Sequence, residues 1–203
     1  SDEMQAIAER VMPQLSAHSN NISLNEDLFA RIKSVYQHTD LDTLNAEDRM
    51  LLQKTYDGFI RSGANLSPEQ KERFRQLSSE LSVLTLRFSQ NNLKETNRYE
   101  LSLTREELDG LPESAISNYA QTAKEKGKEG YIVTLQAPSF VPFMKYSTQR
   151  ELRQQLYMAY NTQCTHDDEY NNMDIVKQLV NLRLERAQLL GYATAAGFVL
   201  TQR

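Results

Sequence analysis

Neither glycine nor proline occurs between Pro68 and Gly110, and inside that span Phe74, Leu77, Leu81, Leu84 and Phe88 recur at alternating steps of three and four. That spacing puts all five on one stripe of an α-helix. Ser67 can cap its start by accepting an orphan backbone N–H, Pro68 suits the first helical position, and Gln70 stands where a capping-box partner belongs. The spacing predicts one helix over 67–98, about 45 Å long at the usual rise per residue. Burying its five stripe residues is worth at most on the order of 10 kcal/mol. Such a helix must be covered by neighbours, so the chain is constrained to a mainly helical fold.

The flanking segments supply those neighbours. Met4, Ile7, Ala8, Val11 and Leu15 have helical spacing, with Pro13 expected to kink or interrupt the helix and Asn20-Asn21 to end it in a turn. Asn25 can cap a second helix with Leu28, Phe29, Ile32, Val35 and Tyr36 on its apolar face, and Asn45 a third carrying Met50 to Ile60. Gly63 is a natural stop before the long helix. After Arg98 the period changes. Tyr99-Glu-Leu-Ser-Leu103 alternates as a half-buried strand does, and Tyr131-Ile-Val-Thr-Leu135 is rich in β-branched residues. The two are expected to pair as a small ribbon against helices. Thr104 with Glu107 reads as a capping box, and 112–126 as a helix. The stretch 137–144 holds two prolines and reads as a short helix or turn. Ser147 or Thr148 is expected to cap a helix with Leu152, Leu156, Tyr157 and Tyr160. Residues 162–168 form a polar link, 173–190 a last long helix ended by Gly191, and Thr194 begins another. The expectation is a mainly α, bundle-like fold with a two-stranded ribbon. It is one helical region over 1–203, whose strands could divide sub-lobes 1–98 and 104–203.

Composition narrows the function classes. The 203 residues carry a formal net charge of -4, so no clustered basic surface for nucleic acid is expected. The mixed-sign runs Lys71-Glu-Arg73 and Lys124 to Glu129 read as solvated faces and a loop. Cys164 is the single cysteine, which precludes an internal disulfide and suits a reducing compartment. No apolar run approaches a membrane span. His18, His38 and His166 are never three or four residues apart, so no helix carries a zinc-binding pair, and each reads as a surface or capping residue. Cys164-Thr-His166-Asp167-Asp168 brings thiol, imidazole and carboxylates close in sequence. A catalytic Cys–His pair normally comes from separate segments, and an ordinary interhelical loop is favoured. Asp167, Asp168 and Glu169 lack the spaced oxygens and glycine of a calcium loop. The tyrosines fall mostly on apolar faces, with a peptide groove along Tyr131, Phe140, Phe143, Tyr146 and Tyr157 as the minority reading.

Several stretches in series carry a resemblance. Arg61-Ser-Gly-Ala-Asn-Leu66, Leu77-Ser-Ser-Glu-Leu81, Phe88-Ser-Gln-Asn-Asn-Leu-Lys-Glu-Thr96, Val133 through Met144, Arg150-Glu-Leu-Arg153, Tyr157-Met-Ala-Tyr160 and Arg186-Ala-Gln-Leu-Leu-Gly-Tyr192 with Phe198 together resemble the thimet oligopeptidase family. This is the group of oligopeptidase A and the bacterial peptidyl-dipeptidases (dipeptidyl carboxypeptidases), with the nearest likeness to a bacterial peptidyl-dipeptidase. The resemblance implies a largely helical zinc metallopeptidase with a channel between two lobes, cleaving short peptides. It places the His-Glu-x-x-His helix and the further Glu C-terminal to the matched region. No catalytic, cofactor-binding or metal-ligating residue therefore carries over to a position of this chain. Family members usually have an arginine where this chain reads Asn161-Thr-Gln-Cys164.

The resulting expectation is an N-terminal, non-catalytic fragment, cut at both ends, of a zinc-dependent oligopeptidase. It would form part of the substrate channel and be inactive alone. Its partners would be short peptides and the remainder of the same polypeptide, with no nucleic acid and no membrane. Its compartment would be the cytoplasm, or the periplasm if a signal peptide has been removed. The alternative is a standalone helical interaction module docking a partner on the Phe140–Tyr146 patch. A third reading is a paralogue that binds peptides without cutting them.

Overall fold

The computed structural model describes residues 2–202, among which nine α-helices and one two-stranded antiparallel sheet are found. The chain forms two compact units. One comprises the residues up to Arg87 together with those from Ile175 on; the other is Phe88–Asp174.

The first unit begins with α1 (Asp2–Ser23). The helix continues through Pro13 and through Asn20-Asn21, so neither the expected interruption nor the expected turn occurs. Proline forfeits one backbone bond, and Asn20 is buried within the helix rather than turning out of it. α2 (Glu26–His38) starts where expected: the Leu28 N–H donates to the Asn25 side chain at 2.8 Å. α3 (Ala46–Arg61) is capped the same way by Asn45, which accepts from the Asp48 N–H at 2.8 Å. Rings lock these two helices together, Tyr36 stacking on Tyr56 with centroids 4.0 Å apart and Phe29 lying beside Tyr56 and Phe59. Gly63 turns the chain at φ 89°, and a Cβ there would sit 2.9 Å from the Leu66 side chain. Glycine is the residue that fits such a turn.

α4 (Pro68–Arg98) is the predicted long helix. Its capping box is reciprocal, the Ser67 N–H donating to Gln70 Oε1 at 3.0 Å and the Gln70 N–H to Ser67 Oγ at 3.3 Å. Phe74, Leu77 and Leu81 are buried, whereas Phe88 stands at the exposed end of the stripe. Leu81 packs with Ile175 and Leu179 of α8 (Met173–Leu189). The Lys71–Arg73 run is not simply solvated. Lys71 is buried and pairs with Glu26 at 2.9 Å, and Arg73 grips Glu185 of α8 through two bonds at 2.6 and 2.8 Å. α9 (Ala195–Leu200) is capped by Thr194, which accepts from the Gly197 N–H.

In the second unit, β1 (Leu101–Leu103) pairs with β2 (Tyr131–Val133), Leu101 opposite Val133. α5 (Glu113–Glu125), α6 (Ala137–Tyr146) and α7 (Arg150–Asn161) complete it. Leu101, Leu103, Ile116, Tyr119, Val133, Phe143 and Leu156 belong to one core. The Tyr119 hydroxyl donates to the Ser139 carbonyl at 2.9 Å, and burial pushes its pKa up to about 12. α7 is not capped by Ser147 or Thr148, because Gln149 holds the cap position. Thr148 Oγ1 is drawn instead to Asp109 Oδ2 at 2.7 Å, and Ser147 Oγ accepts from the Gln149 N–H.

Candidate functional site

The most elaborate polar constellation lies in the second unit, where the loop after α7 meets the last turns of α4. Continuing the α4 stripe past Phe88 at steps of three and four lands on Asn91, Glu95 and Arg98. Asn91 and Glu95 are buried. Arg98 donates to Glu95 Oε2 at 2.6 Å and to Asp168 Oδ2 at 2.7 Å, and its guanidinium lies 5.1 Å from the Tyr170 ring centroid. Asn91 donates to the Asn172 side chain at 2.9 Å, Asn172 to the Phe88 carbonyl at 3.1 Å, and Gln163 to Thr96 at 2.8 Å. One guanidinium thus pairs with two carboxylates, and hydrogen bonds from side-chain amides engage Asn91, Thr96 and Asn172, as buried polar groups require.

The loop backbone is shaped to fit. Cys164 sits at φ 57°, its carbonyl accepts from the Asn172 N–H at 2.8 Å, and Asp168 Oδ1 accepts from the Tyr170 N–H at 3.0 Å. The Arg98 guanidinium, aided by that N–H, holds the Asp168 carboxyl below the usual range. Burial, then the nearby Glu95 and Asp168, push the Cys164 thiol up, with Arg98 opposing. A nucleophilic cysteine needs the opposite shift. His166 faces Glu95 at 3.8 Å, with its side chain half exposed. The sequence neighbours Cys164 and His166 are therefore set apart, the thiol buried and the ring outward, as expected of an ordinary loop. His38 closes α2, its Nδ1 donating to the Ser34 carbonyl at 2.7 Å, and His18 is an exposed residue of α1.

The aromatic series proposed as a peptide groove is largely core. Phe143 has no exposed surface and meets Tyr119 edge-on at 6.4 Å. Phe140 stacks on Tyr160 at 4.3 Å, and Tyr131 is half-buried in β2. Only Tyr146 and Tyr157 are exposed. The proline-bearing segment folds as α6, with Pro138 in its first turn, and the helical period turns Phe143 inward. An apolar groove of about 430 Å³ lies elsewhere, in the first unit, lined by Ile32, Val35, Leu44, Leu51 and Leu52.

Among the described residues, no group of three His, Cys, Asp or Glu side chains is placed to hold a metal ion. The carboxylates that do cluster, Glu95 and Asp168, are both already engaged by Arg98. These residues do not fit a zinc centre.

A helical fold without a metal-ligand cluster does not identify a chemistry, but the sequence has known counterparts. Residues 143–203 match the model of peptidase family M3. The resemblance to the oligopeptidases is shown from both directions, by the family model over the C-terminal part and by relatives that align with almost the whole chain. It is 31% identical, over 96% of its length, to the probable cytosolic oligopeptidase A of Arabidopsis thaliana, and 31% identical over 97% to oligopeptidase A of Escherichia coli. It is 28% identical, over its whole length, to the dipeptidyl carboxypeptidase of Escherichia coli. The alignments take in 29%, 30% and 30% of those relatives, so the chain spans less than a third of their length. Identity does not favour the peptidyl-dipeptidase branch over the oligopeptidase A branch.

Proposed function

We propose that this chain is the N-terminal, non-catalytic part of a zinc-dependent oligopeptidase of peptidyl-dipeptidase type, and that it walls part of the channel through which short peptides reach the metal. The observation that carries the reading is collinear similarity to oligopeptidase A and dipeptidyl carboxypeptidase across almost the whole chain. A helical wall of fixed width admits extended peptides and excludes folded proteins, whose diameter exceeds that of one strand. The partners are then peptide substrates and the remainder of the same polypeptide. The compartment is the cytoplasm, a reading supported by the one cysteine and by the cytosolic name of a relative. No helix among the described residues is long and apolar enough to cross a membrane.

Two measurements test this. The purified chain should neither cleave internally quenched peptides nor retain zinc after dialysis, and the reading frame continued beyond Arg203 should encode His-Glu-x-x-His and a later Glu. Peptidase activity that co-elutes with the chain and falls with a mutation in it overturns the proposal, as does a stop codon at Arg203.

A further inference from the structure

In the first unit, two arginines flank one ring. Arg61 of α3 lies over Phe198 with its guanidinium 4.2 Å from the centroid, and Arg186 of α8 flanks the same ring at 6.0 Å. Arg183 stands one turn before Arg186 on α8. Tyr192 closes the cluster edge-on to Phe198 at 5.2 Å. Arg61 is satisfied, donating to the Phe198 carbonyl at 2.8 Å and to Thr201 Oγ1. Arg186 is not. Among the described residues it has no hydrogen-bond acceptor and no carboxylate partner, although its side chain is half-buried. Its desolvation is strong enough, with repulsion from Arg183, to pull even its guanidinium below the ordinary arginine value.

A half-buried, unpaired guanidinium is unfavourable, because burial removes hydration that nothing returns. It is also pre-organised for a planar, bidentate acceptor. Elsewhere in this unit the same residue type has that acceptor, since Arg73 holds Glu185 through two bonds. We propose that Arg186, flanked by Arg61 and Phe198, is a binding site for a carboxylate, the acidic side chain of a peptide or protein segment. A carboxylate is chosen over a phosphate because, of the two guanidiniums at the ring, Arg61 already spends its donors on neutral oxygens, which leaves one open planar fork, the match for a two-oxygen acceptor. The aromatic walls of Phe198 and Tyr192 suit the short aliphatic stem of such a side chain.

The test is a titration of the uniformly ¹⁵N-labelled chain with N-acetylglutamate amide, and in parallel with N-acetylglutamine amide, at constant pH and ionic strength. The readout is the Arg186 Nε–Hε resonance, assigned by its loss in Arg186→Lys, with far-ultraviolet circular dichroism checking the variant's fold. Should that variant not fold, Arg186→Gln serves the assignment, and the titration itself needs only the unaltered chain. The expected result is a saturable shift with the acid at least ten-fold tighter than with the amide. A saturable response to inorganic phosphate of equal or greater strength overturns the choice of a carboxylate. Equal shifts with acid and amide, or a linear response to the highest concentration, overturn the site.

Discussion

Replacing Phe143 by alanine asks whether the 137–146 helix belongs to the core or to a binding surface. The side chain has no exposed surface, and its ring meets the edge of Tyr119, itself 1% exposed. Alanine keeps the helical preference of α6, so the change is one of packing alone. Removing a fully buried phenyl ring costs its transfer free energy plus the cavity left behind, about 3–5 kcal/mol together. The lost edge contact accounts for about 1 kcal/mol of that. With a urea dependence of about 2 kcal/mol/M, the midpoint should fall by roughly 2 M. The chain has ten tyrosines and no tryptophan, so near-ultraviolet tyrosine dichroism reports packing while far-ultraviolet dichroism reports helix. The controls are Tyr146→Ala and Tyr157→Ala, 44% and 52% exposed, each expected within about 1 kcal/mol of the unaltered chain. A Phe143→Ala cost below about 1 kcal/mol, or one no larger than the controls, would refute the core assignment and restore the groove.

Gly110 should tolerate no side chain: at φ 85° its Cβ would lie 2.4 Å from the Tyr146 carbonyl, so Gly110→Ala should cost more than about 2 kcal/mol in urea unfolding. Gly127→Ala, where φ is positive but the space is open, should cost about 1 kcal/mol, and equal costs would count against the clash. The Tyr119 hydroxyl should be among the last tyrosines to ionise, at about 12, with the corresponding step in the alkaline absorbance titration missing from Tyr119→Phe. Because that pKa is raised on folding, the native state holds its proton longer than the unfolded chain. The stabilising effect is complete below about pH 10 and lost as pH rises toward 12. Asp168 has the opposite sign, its folded pKa being depressed by Arg98. The stability difference between the unaltered chain and Arg98→Met should be full above the ordinary carboxylate range and shrink as pH falls through the lowered folded value. A difference unchanged from neutral to strongly acid pH would refute that coupling.

Local chemistry made most of the helical frame legible. Asn25, Asn45, Ser67 and Thr194 cap helices where their side chains can reach the first free N–H groups, and each is followed by a segment with consistent apolar period. Thr148 shows where that logic fails. A residue can cap only if nothing nearer competes for its oxygen, and Asp109, distant in sequence, does. Phe143 was ambiguous for a related reason, since apolar residues beside prolines fit a groove and a core equally until the helix direction is known. The Arg98 constellation was half legible. The apolar stripe of α4 continues without a change of period into Asn91 and Glu95, so the pattern already marked two polar residues on the buried face. What it lacked was the partner loop, because the pairing of Glu95 and Arg98 with Asp168 depends on a tertiary approach no local pattern encodes.

The direction of the electrostatic shifts bears on what kind of work these residues do. A general acid or base is useful when its pKa is brought toward neutrality. Here the surroundings of Glu26, Glu100, Asp168 and Glu185 move their carboxyls down, each through a basic partner. Burial moves Tyr99, Tyr119 and Cys164 up. Each of these titratable groups is fixed more firmly in its resting state, the carboxylates charged and the hydroxyls and thiol neutral, which is how ion pairs and buried hydroxyls hold a scaffold. Arg186 alone is pushed against its resting charge. A guanidinium is too strong a base to serve as a proton carrier even so, which leaves recognition as its use. The same argument that makes Arg98 structural, two carboxylates already in place, makes Arg186 a site, because its carboxylate has still to arrive.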